Sequence, residues 1–337
     1  MKLCYGVDRA GMRPLVLAIG FFDGLHLGHR ALMRDVLRLR KPGWRAGVLT
    51  FANHPASFLR PGTEPPLICT MQERIVRLAH AGLDECFLLQ FDASVALLEP
   101  AEFVERVLIN QLGVRAVVVG ATFRFGHKRA GDVQMLAKLL APHGALVLGV
   151  ENLQAEGERI SSTRIRALIA AGELGRADAL LGESYEVRGV VELGRGRGHN
   201  LGFPTANLKL PEKLLPRDGV YAAVARYDGR DYAALVSIGT NPTFGAAGRT
   251  IEAWLRDFRQ TIYGREIALR ELRFVRAQRT FPNEEALVAQ MNDDLNAVAY
   301  PDYAALTTSR SPSRVTRAVD PLASSPRSSA LESGVET

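Results

Sequence analysis

The feature that most constrains the fold is a ten-residue turn, Gly20-Phe21-Phe22-Asp23-Gly24-Leu25-His26-Leu27-Gly28-His29, set between two segments of different character. The apolar run Leu15–Ile19 before it reads as a buried strand, and Arg30–Leu37 after it has helical spacing of its apolar positions. A strand that enters a helix through such a turn belongs to a parallel α/β sheet, and these sheets bind ligands beyond the carboxyl ends of their strands. Glycines let the backbone approach a ligand closely, and the helix start offers unpaired N–H groups to an anion. His26 and His29 are three apart, so in a helical turn they point to one side. Imidazole donors at such a place suit a phosphoryl group that gathers charge in a transition state. A plain βα turn with two surface histidines is the alternative, and the His-x-Gly-His pairing weighs against it.

Four more apolar runs follow: Val48–Phe51, Cys86–Gln90, Ala116–Gly120 and Ala145–Val150. Helical patterns lie between them. Thr70-Met71-Gln72-Glu73 is a capping box for a helix that Gly82 closes, Pro100 suits a first helical position, Gly113 ends that helix, and Asp132–Leu140 carries another apolar stripe. The alternation predicts a doubly wound parallel sheet over residues 1–182, closed by helical sequence from Arg164 to Leu181 that breaks at Gly172 and stops at Gly182. Beyond Gly182 the pattern changes. Tyr185–Leu193, Val220–Tyr227, Tyr232–Ile238, Thr250–Phe258 and Ile267–Val275 read as strands with no helices between them, and Asp228-Gly229 as a two-residue hairpin turn. Residues 183–306 are therefore expected to form a small antiparallel β-barrel with a last helix from Asn283 to about Asn296. The remainder, 307–337, is rich in Ser, Pro, Thr and Arg, with four basic and three acidic residues, and is expected to be a disordered tail.

Length and composition narrow the function classes. A chain of 337 residues, 47% apolar and 23% charged, has material for two cored domains. A net charge of +6 suits phosphate-bearing substrates, while no dense Lys/Arg block points to nucleic acid. Cys4, Cys69 and Cys86 have no metal or disulfide spacing and fit a reducing cytoplasm. No apolar run approaches the ~18 residues of a membrane span. Leu15–Phe22 lacks the small-residue cleavage site of a signal peptide. The oligomeric state leaves no mark in the sequence.

Two later stretches belong with the His-x-Gly-His turn. Gly120-Ala121-Thr122-Phe123-Arg124-Phe125-Gly126 follows the fourth strand, and Arg159-Ile160-Ser161-Ser162-Thr163-Arg164-Ile165-Arg166 follows the fifth. Hydroxyls at a helix start commonly cap it, but three in a row beside arginines exceed that need and suit a triphosphate. Arg164 and Arg166, taken singly, read as solvated helix residues. Gly126–Gly131 has the opening of a P-loop but lacks its Lys-Ser/Thr ending. In the second half, Gly194-Arg195-Gly196-Arg197-Gly198 suits phosphate wrapping by backbone N–H groups. Thr205 and Asn207 offer hard oxygen ligands for Mg²⁺. Glu252 is a carboxylate within the otherwise apolar Ile251–Leu255 strand, a candidate base for phosphoryl transfer to an alcohol.

Gly20–His29 with Ile160–Arg166 resembles the nucleotidyltransferase superfamily that carries His-x-Gly-His and Ile-Ser-Ser-Thr motifs. With Phe22-Asp23-Gly24, Thr50-Phe51, His54-Pro55 and Phe123-Arg124-Phe125-Gly126, the pattern is similar to the FMN adenylyltransferase module of bacterial FAD synthetases. Gly194–Gly202, Pro204–Asn207, Gly219-Val220-Tyr221, Asn241–Phe244, Glu252 and Tyr263-Gly264 resemble the riboflavin kinase barrel attached to it in the bifunctional members. The resemblance covers residues 15–300 in the family's own order. It implies phosphorylation of riboflavin to FMN by ATP, then attack of the FMN phosphate on the ATP α-phosphate to give FAD and pyrophosphate. It also implies roles: His26 and His29 at the reacting phosphorus; Gly20, Phe22, Asp23, Gly24, Thr122, Arg159, Ser162 and Thr163 at the nucleotide. On the barrel it implies Gly194, Gly196, Gly198 and Thr205 at the second ATP, Thr205 and Asn207 at Mg²⁺, and Glu252 as base on the ribityl 5′-hydroxyl. Ala52-Asn53, Thr122 and His199 depart from the family's usual residues. The rival expectations are another His-x-Gly-His nucleotidyltransferase, such as a cytidylyltransferase with a regulatory barrel, and a non-enzymatic flavin-binding protein.

Overall fold

A computed structural model describes residues 1–7, 13–193, 205–240 and 248–297. The first half is a six-stranded sheet built from β1 (Lys2–Tyr5), β2 (Leu15–Ile19), β3 (Arg45–Phe51), β4 (Glu85–Leu89), β5 (Val114–Gly120) and β6 (Leu146–Val150). Their order is β1-β4-β3-β2-β5-β6 and every pairing is parallel. β2 is central because it can be buried on both faces. Leu15, Leu17 and Ile19 enter one core with Leu49, Phe87, Val117 and Leu108, while Val16 and Ala18 enter another with Met33, Val36, Leu78 and Val118. From β2 the chain winds one way through β3 and β4, and later the other way through β5 and β6. The order reverses between β2 and β5, which opens a crevice beyond their carboxyl ends. Edge strand β1 was not expected from the sequence; it is four residues long and alternates only weakly in burial.

Helix α1 (Leu27–Leu39) follows the His turn, and α2 (Met71–His80) starts at Thr70 with both halves of its capping box formed. Pro100 is the first residue of α3 (residues 100–111), whose later part widens into π-type turns before Gly113 adopts positive φ. α4 (Val133–Leu140) is capped by the Asp132 side chain. α5 (Ser162–Ala171) and α6 (Leu174–Leu181) end on left-handed Gly172 and Gly182.

Six strands then close an antiparallel barrel: β7 (Val187–Glu192), β8 (Thr205–Leu208), β9 (Gly219–Tyr227), β10 (Arg230–Gly239), β11 (Thr250–Leu255) and β12 (Glu266–Arg276), in the order β7-β8-β11-β10-β9-β12. The sixth strand is β8, which the sequence presents as a motif rather than as a strand. Asp228-Gly229 forms the two-residue hairpin, both at positive φ, between paired Tyr227 and Arg230. α7 (Glu284–Ala297) follows. Its Asp294 meets Arg276 of β12 in a buried pair at 2.8 Å. The barrel interior shares one apolar cluster with α5 and α6: Leu168, Ile169, Ala177 and Leu180 belong with Val236, Ala253, Leu269 and Leu272. Helices α5 and α6 thus join the barrel's core, and Ile68 from the first half enters it too. The tail expected over 307–337 lies outside the described residues.

Candidate active site

The His turn occupies the crevice. After β2 the chain passes Gly20, makes a tight turn at Asp23–Leu25, and starts α1 at Leu27. Phe22 and Leu25 have φ of 58° and 44°, so two non-glycine residues are held in the left-handed region at this point. Gly24 sits at φ 79°, where an L side chain is strained, and an added Cβ would crowd Ile68 at 3.0 Å and Leu181 at 3.2 Å. His26 is the N-cap of α1, its Nδ1 accepting the His29 N–H at 3.3 Å. That bond leaves Nε2 of neutral His26 to carry the proton, as a donor. The two imidazoles stack, 3.6 Å between centroids and 17° from parallel, and the Phe22 ring meets His29 edge-on at 5.2 Å. Burial, with the charge of Arg159 next, lowers the His26 pKa to about 4. Burial and the neighbouring His26 push His29 well below its ordinary value. Both rings are therefore neutral near pH 7. His29 Nδ1 is buried with no hydrogen-bond partner among the described residues.

The other residues expected at the nucleotide divide into two groups. Thr122 is exposed just past β5, across the crevice from Gly20, and Thr163 is exposed on the first turn of α5. Arg159 is exposed on a short ribbon (Gln154-Ala155 against Glu158-Arg159), and its charge reaches both histidines. Those three are free to meet a ligand. Asp23, Phe22 and Ser162 are engaged inside the protein. The Asp23 carboxylate, 2% exposed, accepts N–H bonds from Ile68 at 3.0 Å and Cys69 at 3.2 Å and pairs with Arg166 at 2.7 Å. Ser162 Oγ donates to the Asp23 carbonyl at 3.0 Å, and Ser161, not Ser162, caps α5. Phe22 is buried under Gly20, where a Cβ would lie 2.9 Å from its ring.

Two sequence expectations are corrected. Arg166 is not a solvated helix residue, since it spans from Asp23 to the Pro66 carbonyl. Arg164 is likewise held, by Glu156, Glu158 and the Ala155 carbonyl. Both face inward because α5 lies between the ribbon and the His turn. Asn53, one of the departures, holds the backbone N–H and C=O of Phe91 through its amide. His54 caps the short helix Pro55–Leu59 and meets the Phe21 ring edge-on. Sequence reasoning missed Arg74, almost fully buried, which donates to the carbonyls of Phe21 and Phe51 and so ties β3 to the His turn.

A second cluster lies on the barrel. In β11, Ile251, Ala253 and Leu255 point into the core, so Glu252 and Trp254 point outward. On β8, Asn207 pairs with Glu252 and Thr205 with Trp254, and cross-strand partners share a face. The three oxygen-bearing side chains Thr205, Asn207 and Glu252, far apart in sequence, thus sit on one outer patch. Ser237 of β10 pairs with Glu252 from the other side and accepts a hydrogen bond from Gln278 at 3.0 Å. Neither Ser237 nor Gln278 stood out in the sequence. Gly194, Gly196, Gly198, His199 and Asn241–Phe244 lie outside the described residues.

Comparison with known proteins follows the same division. The FAD synthetase family model matches residues 8–164 and the riboflavin kinase family model residues 181–300. The bifunctional riboflavin kinase/FMN adenylyltransferase of Listeria monocytogenes is 35% identical over 283 residues, covering 83% of this chain and 90% of that protein. The protein of the same name from Escherichia coli K12 is 33% identical, covering 88% and 97%. Among solved structures, one described as a macrolide-efflux protein from Streptococcus pneumoniae is similar over 88% of this chain and 98% of its own, at 30% identity and a TM-score of 0.78. Among the described residues no helix is long and apolar enough to cross a membrane.

Proposed function

The chain belongs to the family of bifunctional riboflavin kinase/FMN adenylyltransferases, and from that premise we propose which of its residues carry each reaction. It is a transferase that phosphorylates riboflavin with ATP and then transfers an adenylyl group from a second ATP to FMN, releasing pyrophosphate. ATP, riboflavin, FMN and FAD are its substrates and products.

Adenylyl transfer is assigned to the crevice between β2 and β5. The observation that carries this is the stacked pair of neutral imidazoles at a helix start. An FMN phosphate oxygen attacks the α-phosphorus of ATP as the bond to pyrophosphate breaks, and charge grows on the oxygens of that phosphorus. Nε2–H of His26 and the ring of His29 donate to those oxygens, and donors already in place cost no reorganisation at the moment of reaction. Arg159 and the Thr163 hydroxyl hold the leaving phosphates, Gly20 and Thr122 line the nucleotide's approach, and Phe22, Asp23, Gly24 and Ser162 shape the turn.

Phosphorylation is assigned to the outer barrel patch. Glu252 accepts the proton of the ribityl 5′-hydroxyl as the hydroxyl oxygen attacks the γ-phosphorus and the bond from that phosphorus to the departing ADP breaks. Thr205 and Asn207 present a hydroxyl and an amide oxygen beside that carboxylate, donors suited to a hard cation, so they would hold Mg²⁺. The cation would neutralise phosphate charge. The described residues contain no group of three or more His, Cys, Asp or Glu able to hold a metal unaided, so ATP phosphates and water would complete the shell. Gly194, Gly196 and Gly198 complete the ATP contacts in this reading. All three cysteines are free thiols, which supports a reducing cytoplasm as the enzyme's compartment.

The test is chromatography of flavins after incubating the protein with riboflavin and Mg-ATP. FMN and then FAD are expected in sequence. Failure to form either one overturns the assignment of that activity.

A further inference from the structure

Residues 67–77, which include the first turns of α2, are gripped from two sides. One side holds the His turn. Ile68 and Cys69 donate their N–H groups to the Asp23 carboxylate, Gly24 N–H donates to Cys69 Sγ at 3.2 Å, and Arg74 and Arg77 donate to the carbonyls of Phe21 and Gly24. The other side meets the barrel's β8–β9 connection. Leu214 N–H donates to the Leu67 carbonyl at 2.7 Å, and Lys213 Nζ lies 2.9 and 3.0 Å from the two Glu73 carboxylate oxygens. The Lys213 side chain is completely buried, with the Tyr185 ring 4.7 Å from its ammonium and the Tyr185 hydroxyl bonded to the Leu214 carbonyl. Glu73 has a second duty, because its Oε2 also accepts the Thr70 N–H at 2.9 Å to close the capping box.

A buried ion pair is a poor source of adhesion, because desolvation of both charges offsets most of their attraction. Apolar side chains in place of both Lys213 and Glu73 would join the two halves at least as well, whereas removing one partner strands the other. What the pair adds is geometry. It fixes Glu73, Glu73 fixes the cap at Thr70, and Thr70 directly follows the two N–H groups that hold Asp23.

We propose that Lys213, a residue of the kinase barrel, is a positioning residue for adenylyl transfer. By clamping Glu73 it sets the segment on which the His26–His29 turn rests. The inference depends on that turn being the adenylyl-transfer site. It also makes the second reaction depend on a contact that only the attached barrel provides.

Both rates are measured on one preparation of the full chain, riboflavin phosphorylation and adenylylation of supplied FMN. The unsubstituted protein tests the underlying reading, which fails if no FAD forms. Given that FAD forms, Lys213→Met is expected to lower kcat for adenylylation about tenfold, as small misplacements of a reacting site do. The KM for ATP and the phosphorylation rate should stay near those of the parent. A role in folding alone would lower both activities in step, by the fraction of protein lost. Proportional loss, or no loss, overturns the proposal. If Lys213→Met does not fold, the double variant Lys213→Met with Glu73→Gln carries the same test with the same outcomes, since it removes both charges together and keeps the cap's acceptor.

Discussion

His26 and His29 lie ring on ring, 3.6 Å between centroids, with a backbone N–H of the second bonded to the first. Stacked this closely, two imidazolium ions would repel, and burial penalises either charge. The pair is therefore built to be neutral without ligand and to gain proton affinity once phosphate oxygens arrive.

A pH dependence of stability follows. Unfolded His26 titrates near 6.5 and folded His26 near 4. Between those values the unfolded chain binds more protons, so stability falls as pH drops through this window, by about 3 kcal/mol at most from His26. His29 acts in the same direction. The thermal midpoint should drop between pH 7 and pH 5, and His26→Asn, which retains an N-cap acceptor, should flatten that slope. An unchanged slope would contradict a neutral buried His26.

Asp23 separates a structural role from a ligand role. Its carboxylate is consumed by Ile68, Cys69 and Arg166, so Asp23→Asn strands a largely buried guanidinium. Denaturant unfolding should show a loss of about 3 kcal/mol, the cost of breaking a buried pair. An intact stability with a raised KM for ATP would instead make Asp23 a nucleotide contact.

Gly28 explains the glycine of the His-x-Gly-His motif. A Cβ there would sit 3.1 Å from His26 Cε1 and 3.2 Å from its Nδ1. Gly28→Ala, helix-favouring in itself, should fold yet displace the His26 ring. FMN adenylylation should fall by about tenfold or more while riboflavin phosphorylation persists. Full adenylylation in this variant would mean that the ring's placement is not critical.

The sequence made legible what local pattern controls. Leu15–Ile19, the capping box at Thr70 and the hairpin at Asp228-Gly229 stand where periodicity and turn chemistry put them. Edge strand β1 was not legible, because a short edge strand has no buried face to impose alternation. At the site, the histidines were visible as a motif, whereas the grip on Asp23 comes from Ile68 and Cys69, 45 and 46 positions away. Such contacts arise from packing between elements and leave no local pattern. Arg74 and Lys213 were hidden for the same reason, since a buried charge is identical in sequence to a solvated one.

The central claim is that two reactions run at two places, the crevice holding His29 and the barrel patch holding Glu252. The direct measurement is flavin chromatography of His29→Ala and Glu252→Ala, each supplied with riboflavin or with FMN, with circular dichroism confirming the fold. His29→Ala removes a donor to transition-state charge, a loss of roughly 3 kcal/mol or about a hundredfold in rate. It should form FMN from riboflavin but almost no FAD from either flavin. Glu252→Ala should fail to phosphorylate riboflavin yet still convert supplied FMN to FAD. If either folded variant loses both reactions, one composite site serves both steps and the assignment of two sites is wrong.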